Sequence, residues 1–377
     1  MANGFLVVGG YLSEGGIASP SQIGRLLAVL IFLVVCIFKK LNSIWVFVAL
    51  YLIGLETFYG VLHQSEFGVI FGIISAYKLI YIVLTSITLK YYLNTEQDYY
   101  LLGKFIKWNL YLISGTLLFS LLTGIGNSTY GHGFGTKGFF ASGNGLGVYM
   151  GVMTLVMFAF KKYKIYTNVS ATAIVIFALS TGLVGSKTAM LLSLICLLTL
   201  MWFSCYRLYW LILFGVSFSL VFPLFYNVIE VVFDVVINRY ENSESLFMFI
   251  GSGRIDYVAD AFSVFLEQGS INLRLVFGSG AFVSFQDPSS VSSYDTLETD
   301  LFDVLFMYGF VGLIFFFASS IYISFHLRKY FILLFAFILL FFHSIIAGHV
   351  LFNGMSSFPI VLLFLLSVFL KNRRNDA

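Results

Sequence analysis

The chain has 377 residues, 59% of them hydrophobic and only 10% charged, with a formal net charge of +3. A soluble domain carries charge on roughly a quarter of its positions, so a soluble globule is excluded. Strand-like alternation is absent, which argues against a β-barrel. The apolar residues instead come in runs of about 14 to 23, near the length a helix needs to cross about 30 Å of hydrocarbon. In chain order these runs predict spans at about 23–38, 44–61, 67–89, 106–124, 144–160, 165–183, 188–204, 208–228, 300–322, 331–349 and 357–370. The expected class is an all-α polytopic membrane protein of about eleven spans, roughly ten to twelve, forming one integral membrane domain over residues 1–377. Residues 1–22 lack the basic stretch of a signal peptide and read as an exported tail or part of a further helix. Cys36, Cys196 and Cys205 read as buried thiols, with no disulfide or metal site expected.

Lys and Arg in short loops orient such a chain, because they are retained in the cytoplasm. Alternate breaks hold Lys39 and Lys40; Lys90, Lys104 and Lys107; Lys161, Lys162 and Lys164; Arg207; Arg328 and Lys329; and Lys371, Arg373 and Arg374. These fourteen of the twenty-one basic residues fall on one side, which predicts a cytoplasmic C-terminus. The other seven, Arg25, Lys78, Lys137, Lys187, Arg239, Arg254 and Arg274, lie in spans or on the exported side. A cation placed against the topological bias calls for an anionic ligand or an acidic partner. Local pairing is one explanation, since Arg239 and Arg254 sit among Glu241, Glu244 and Asp256. It is harder to apply to Lys187, which has no acidic residue within forty positions.

Two exported segments hold the polar chemistry. One is the Gly-rich loop 124–147, and the other is the large loop 229–299. With the first turn of the next span, the large loop carries twelve of the eighteen acidic residues. Inside it, Ile255, Val258, Phe262, Phe265 and Leu266 recur at helical spacing, predicting an amphipathic helix on the bilayer surface or over a cavity. Gly251-Ser252-Gly253-Arg254 opens that helix. Such a turn exposes backbone N–H groups, and the Arg adds a fork for phosphate, although Gly-Ser-Gly before a helix is also a common plain turn.

Glu298, Asp300 and Asp303 follow at the junction with the next span. Desolvation there would raise a carboxylate's pKa and suit it to general-base work. They read equally as solvated interfacial groups or as partners of Arg239 or Arg274. Lys78, in mid-span, either lines a lipid path or pairs with Glu56. His343 and His349 are six residues apart and do not share a helix face, so no metal site is expected from them. His132 reads as an exposed loop residue, and the aromatic residues as span packing and interfacial belts.

Four patches, in order, resemble the O-antigen polymerase and ligase superfamily of bacterial membrane glycosyltransferases, whose polymerase branch is called Wzy. Gly138-Phe139-Phe140-Ala141-Ser142-Gly143-Asn144 is similar to the family's entry to a span, with Gly143 where Pro is common. Gly185-Ser186-Lys187-Thr188 resembles its Ser-Arg-Thr/Gly pattern, with Lys for Arg. Ser252-Gly253-Arg254 followed by Phe277-Gly278-Ser279-Gly280 resembles the core of its large periplasmic loop. Glu298 through Gly309-Phe310-Val311-Gly312-Leu313 resembles the loop's exit into a helix. Ligases of the family usually carry His eleven residues before that first Gly, where this chain has Glu298, and the departure favours the polymerase branch.

The resemblance implies a GT-C-like membrane glycosyltransferase of the bacterial inner membrane that needs no cofactor and no metal. It would join glycan repeat units carried on undecaprenyl pyrophosphate at the periplasmic face. The acceptor hydroxyl would attack the donor's anomeric carbon and lipid pyrophosphate would leave, which demands a base and cations. Glu298 is then the expected base, with Arg254 and Lys187 on the pyrophosphate. Arg239, Arg274, Asn144, Lys137 and Asp300 are the further substrate-binding candidates. Expected partners are the lipid-linked glycans, membrane lipids, a chain-length regulator and a flippase, with no nucleic acid. The alternatives are a ligase acting on lipid A-core or another acceptor, a flippase or other transporter, and a non-catalytic scaffold. No internal repeat supports a transporter.

Overall fold

The computed structural model describes residues 20–41, 43–62, 66–129, 135–203, 241, 254–267, 271–283 and 297–375. Helices α1 (Pro20–Phe38), α2 (Ser43–Leu62), α3 (Glu66–Tyr92) and α4 (Glu96–Thr123) lead to a small antiparallel hairpin, β1 (Asn127–Ser128) and β2 (Thr136–Gly138). Helices α5 (Gly143–Lys162), α6 (Ala171–Leu183) and α7 (Lys187–Phe203) follow. Downstream lie α8 (Arg254–Glu267), α9 (Ile271–Phe277), α10 (Gly280–Val283), α11 (Asp300–Leu327), α12 (Phe331–Ala347) and α13 (Phe358–Asn375). Among the described residues five helices are long and apolar enough to cross a membrane, namely Ile44–Leu62, Gly68–Tyr92, Glu96–Thr123, Gly143–Lys162 and Asp300–Leu327. The chain is a mostly helical membrane protein. The expected span at 208–228, Cys205, His132, Arg239, residues 251–253 and much of the 229–299 loop lie outside the described residues.

Two helix starts differ from expectation. The span expected at 106–124 begins at Glu96, because Thr95 and Asp98 close a capping box, so Lys104 and Lys107 ride on the helix. The span expected at 165–183 begins only at Ala171, where Ser170 accepts the Ala173 N–H at 3.0 Å.

Helix α5 is the centre of the bundle. In its most apolar stretch 83% of residues are buried, against 22–39% in the other four long helices. Its small residues let neighbours approach closely. A Cβ on Gly147 would lie 2.5 Å from that of Ala189, and one on Gly151 would lie 2.6 Å from that of Leu192. Around it one apolar cluster joins α4, α6, α7, α12, α13 and the end of α11 (Ile323 and Leu327), while a second joins α1, α2, α3, α8 and the start of α11. The connection from α12 to α13 bridges them, with Val350 and Met355 in the first and Phe352 in the second.

The second cluster is braced by the α9–α10 turn. Glu56 Oε2, inside α2, accepts the Ala281 N–H at 2.8 Å, and the Tyr59 hydroxyl donates to the Gly278 carbonyl at 2.9 Å. Helix α11 kinks at Gly309 (φ 64°, ψ −161°), where the Val276 carbonyl fills the space a side chain would take.

Candidate functional site

The residues with chemical potential converge at the end of the bundle formed by the starts of α5, α7 and α11 and the end of α12. The opposite end carries the ion pair of Arg373 with Glu96 at 3.1 Å and the Lys107 bond to the Asn168 carbonyl.

Leu297, Glu298 and Thr299 lead directly into α11. Asp303 Oδ1 accepts the Leu297 N–H at 2.8 Å. Asp300 Oδ2 accepts from the Ser344 hydroxyl at 2.6 Å and from the Val350 and Leu351 N–H groups at 3.1 and 3.0 Å. Two carboxylates in one helical turn therefore fix the backbone before Glu298 and the backbone after His349. Gly348, at φ 57°, packs against the Glu298 carbonyl where a Cβ would collide.

Between these clamps Glu298 bridges two cationic or potentially cationic side chains. Arg254, the first residue of α8, places Nη2 at 2.8 Å from Glu298 Oε2. His349 Nε2 lies 3.3 Å from Glu298 Oε1. Glu298 keeps 41% of its side chain exposed, so the cluster is open to solvent. His343 on α12 lies within electrostatic reach of both His349 and Arg254.

The His349 hydrogen bond, with the nearby charges of His349 and Arg254, holds the Glu298 carboxyl down at about 2 against an ordinary 4.5. Partial burial opposes the shift and is outweighed. This reverses the expected direction, in which desolvation would raise a junction carboxylate. Among the described residues Arg254 pairs with Glu298, brought close by the fold, while Glu244 lies outside them.

A second group sits at the starts of α5 and α7. Lys187 is the exposed first residue of α7, and the Ser186 hydroxyl before it accepts the Ala189 N–H at 3.2 Å. The β-hairpin covers this end, with the Thr129 hydroxyl donating to the Val184 carbonyl at 2.5 Å. Lys137 on β2 donates to the Ala141 carbonyl at 3.2 Å. Asn144 is half-buried in the first turn of α5, beside Gly145, whose missing side chain makes room for Asn353. Asn353 and His349 share one short connection, so that segment ties the two groups together. Arg25 of α1 packs against Gly354 in the same segment.

Other expected site residues serve the fold. Arg274 is buried, donating from Nε to the Ser279 hydroxyl and from Nη1 to the Phe265 carbonyl, both at 2.7 Å, and stacking over the Phe265 ring. Those bonds bind α8, α9 and the turn to α10. Asp300, expected to touch substrate, is fully buried and faces backbone amides. Asp303 binds the Leu297 amide, not Arg274, and Lys78 lies within electrostatic reach of Asp303. Glu56, the partner suggested for Lys78, is taken up by Ala281. Among the described residues no three His, Cys, Asp or Glu side chains gather as a metal site.

Sequence reasoning weighed His349 only as a metal ligand, and the fold sets it against Glu298. Its neighbour Gly348, directly after a long apolar run, was the one local sign of a constrained turn. Protein-family models, characterised proteins and solved structures offer no match to this chain.

Proposed function

We propose that this chain polymerises oligosaccharide repeat units carried on undecaprenyl pyrophosphate, at the exported face of a bacterial inner membrane. In this reading the fold is GT-C-like, with about eleven spans, a large periplasmic loop and a cytoplasmic C-terminus. The observation that carries it is the solvent-open Arg254–Glu298–His349 cluster, at the end of the bundle opposite the retained lysines. Cations kept there against the topological bias suit an anionic substrate on that side. Lys187, Lys137 and Asn144 stand nearby as further contacts for a pyrophosphate and its sugar. Lipid pyrophosphate is already a good leaving group, so stabilising its developing charge does more than protonating it. Glu298 contributes its negative charge, with Arg254 beside it. Arg239 stays a candidate helper from the sequence pattern alone, and a flippase and a chain-length regulator are the proposed partners.

The test is the glycan made by cells lacking the protein. Single repeat units on lipid A-core are the expected outcome. Long chains left on the undecaprenyl carrier would make the chain a ligase, and an unchanged glycan ladder would remove it from this chemistry.

A further inference from the structure

Resting on the transfer reaction proposed above, we infer that His349 is the catalytic base that takes the acceptor's proton, with Glu298 as its charge partner and Asp300 as the residue that positions it. His349 places Nε2 3.3 Å from Glu298 Oε1 and keeps 24% of its side chain exposed. His349 Nε2 faces that carboxylate, and a neutral imidazole with its N–H on Nε2 keeps a lone pair on Nδ1 as the proton acceptor. The carboxylate fixes the tautomer and stabilises the imidazolium that forms, the arrangement by which a His–carboxylate pair works as a base.

Glu298 itself is a poor proton acceptor, because Arg254 and His349 already occupy its oxygens. The His349 backbone is fixed on both sides. Gly348 packs on the Glu298 carbonyl, Asp300 takes the two amides that follow, and the Ser356 hydroxyl donates to the His349 carbonyl. The residue also holds φ 59°, a conformation that non-glycine residues keep only when their surroundings impose it.

In the step, the acceptor hydroxyl oxygen bonds to the donor's anomeric carbon. The bond from that carbon to the pyrophosphate oxygen breaks, and its electron pair leaves with pyrophosphate. The hydroxyl proton passes to His349 Nδ1, and the imidazolium stays paired with Glu298 until it returns the proton to water.

The experiment uses the purified full chain and lipid-linked oligosaccharide extracted from cells that lack it. His349→Gly and His349→Asn are the variants, since both residues tolerate positive φ. Each is expected to lose about 10²–10³-fold in turnover with the apparent KM little changed. Added imidazole is expected to restore part of the His349→Gly rate and none of the His349→Asn rate. Wild-type turnover in both variants, or a His349→Gly loss that imidazole leaves untouched, overturns the base role. If His349→Gly does not accumulate, the turnover of His349→Asn decides alone. No polymer from the wild-type protein overturns the transfer reaction itself, and the role of His349 falls with it.

Discussion

Glu298 and His349 face each other across 3.3 Å, and both hold left-handed backbone, at φ 58° and 59°. Each such conformation costs of order 1–3 kcal/mol in a non-glycine residue and persists only where neighbours over-determine it. Here the neighbours are Asp300 and Asp303, one helical turn apart at the start of α11. One holds the amides after His349 and the other the amide before Glu298. The facing pair is built by the fold, since the two residues enter from opposite ends of the α11–α12 hairpin.

Asp300→Asn is therefore expected to be a structural lesion. Three donors converge on Asp300 Oδ2 while Oδ1 is buried without a partner, so an Asn can keep those three bonds only by leaving its buried NH2 unpaired. Leaving a buried donor unpaired costs about 1–3 kcal/mol. Lower abundance and a lower melting temperature in detergent are expected, with activity falling through lost protein. A variant as stable as wild type would show that the Val350 and Leu351 amides need no carboxylate.

Glu298→Gln tests the electrostatics of the cluster. The folded carboxyl is depressed to about 2 from 4.5. A depressed group adds stability that is fully present above its unfolded pKa and is lost as pH falls through the folded one. Wild type is thus expected to melt above Glu298→Gln at neutral pH, with the gap closing between about pH 4.5 and pH 2. Because Glu298 is half exposed, the gap should be small. Equal melting points at pH 7 would show that the Arg254 and His349 contacts contribute no stability.

Much of this architecture was legible in the sequence. Apolar runs at membrane length set the long helices to within a few residues where α2, α5 and α11 are concerned. Helix starts governed by caps were less so, because the Thr95 box extends α4 through a polar stretch that hydropathy reads as a break. At the site, the position of Arg254 at a helix start and the junction carboxylates were visible as local pattern. Which carboxylate did what was not. Asp300, Asp303 and Arg274 bond to backbone and side-chain groups brought in by packing, and His349 reaches Glu298 only once α11 and α12 have paired. Sequence spacing carries no record of such contacts.

Orientation is open to a direct measurement. Reporters fused after Lys164 and after Lys329 are expected to read as cytoplasmic, and one near Ser290 as exported, because Lys and Arg in short loops are retained inside. A cytoplasmic reading at Ser290 would put Glu298 and His349 on the wrong side for a periplasmic substrate and overturn the proposed function.

Arg254 and Lys187 separate charge from packing. Arg254→Ala and Lys187→Ala are each expected to abolish long glycan while abundance stays near normal. For Arg254 the reason is the geometry: its pair with Glu298 is partly solvated, and such pairs are worth about 0–1 kcal/mol. For Lys187 it is position, as an exposed residue at the start of α7. Arg254→Lys sharpens the point. A lysine can still neutralise Glu298, but it cannot present two parallel N–H groups to a phosphate while doing so. Severe loss in Arg254→Lys with normal abundance assigns the fork to the substrate. Full activity in Arg254→Lys beside loss in Arg254→Ala reduces the role to a point charge holding Glu298 in place. Normal polymer from both alanine variants removes the pyrophosphate role, and the cluster would then have to work through Glu298 and His349 alone.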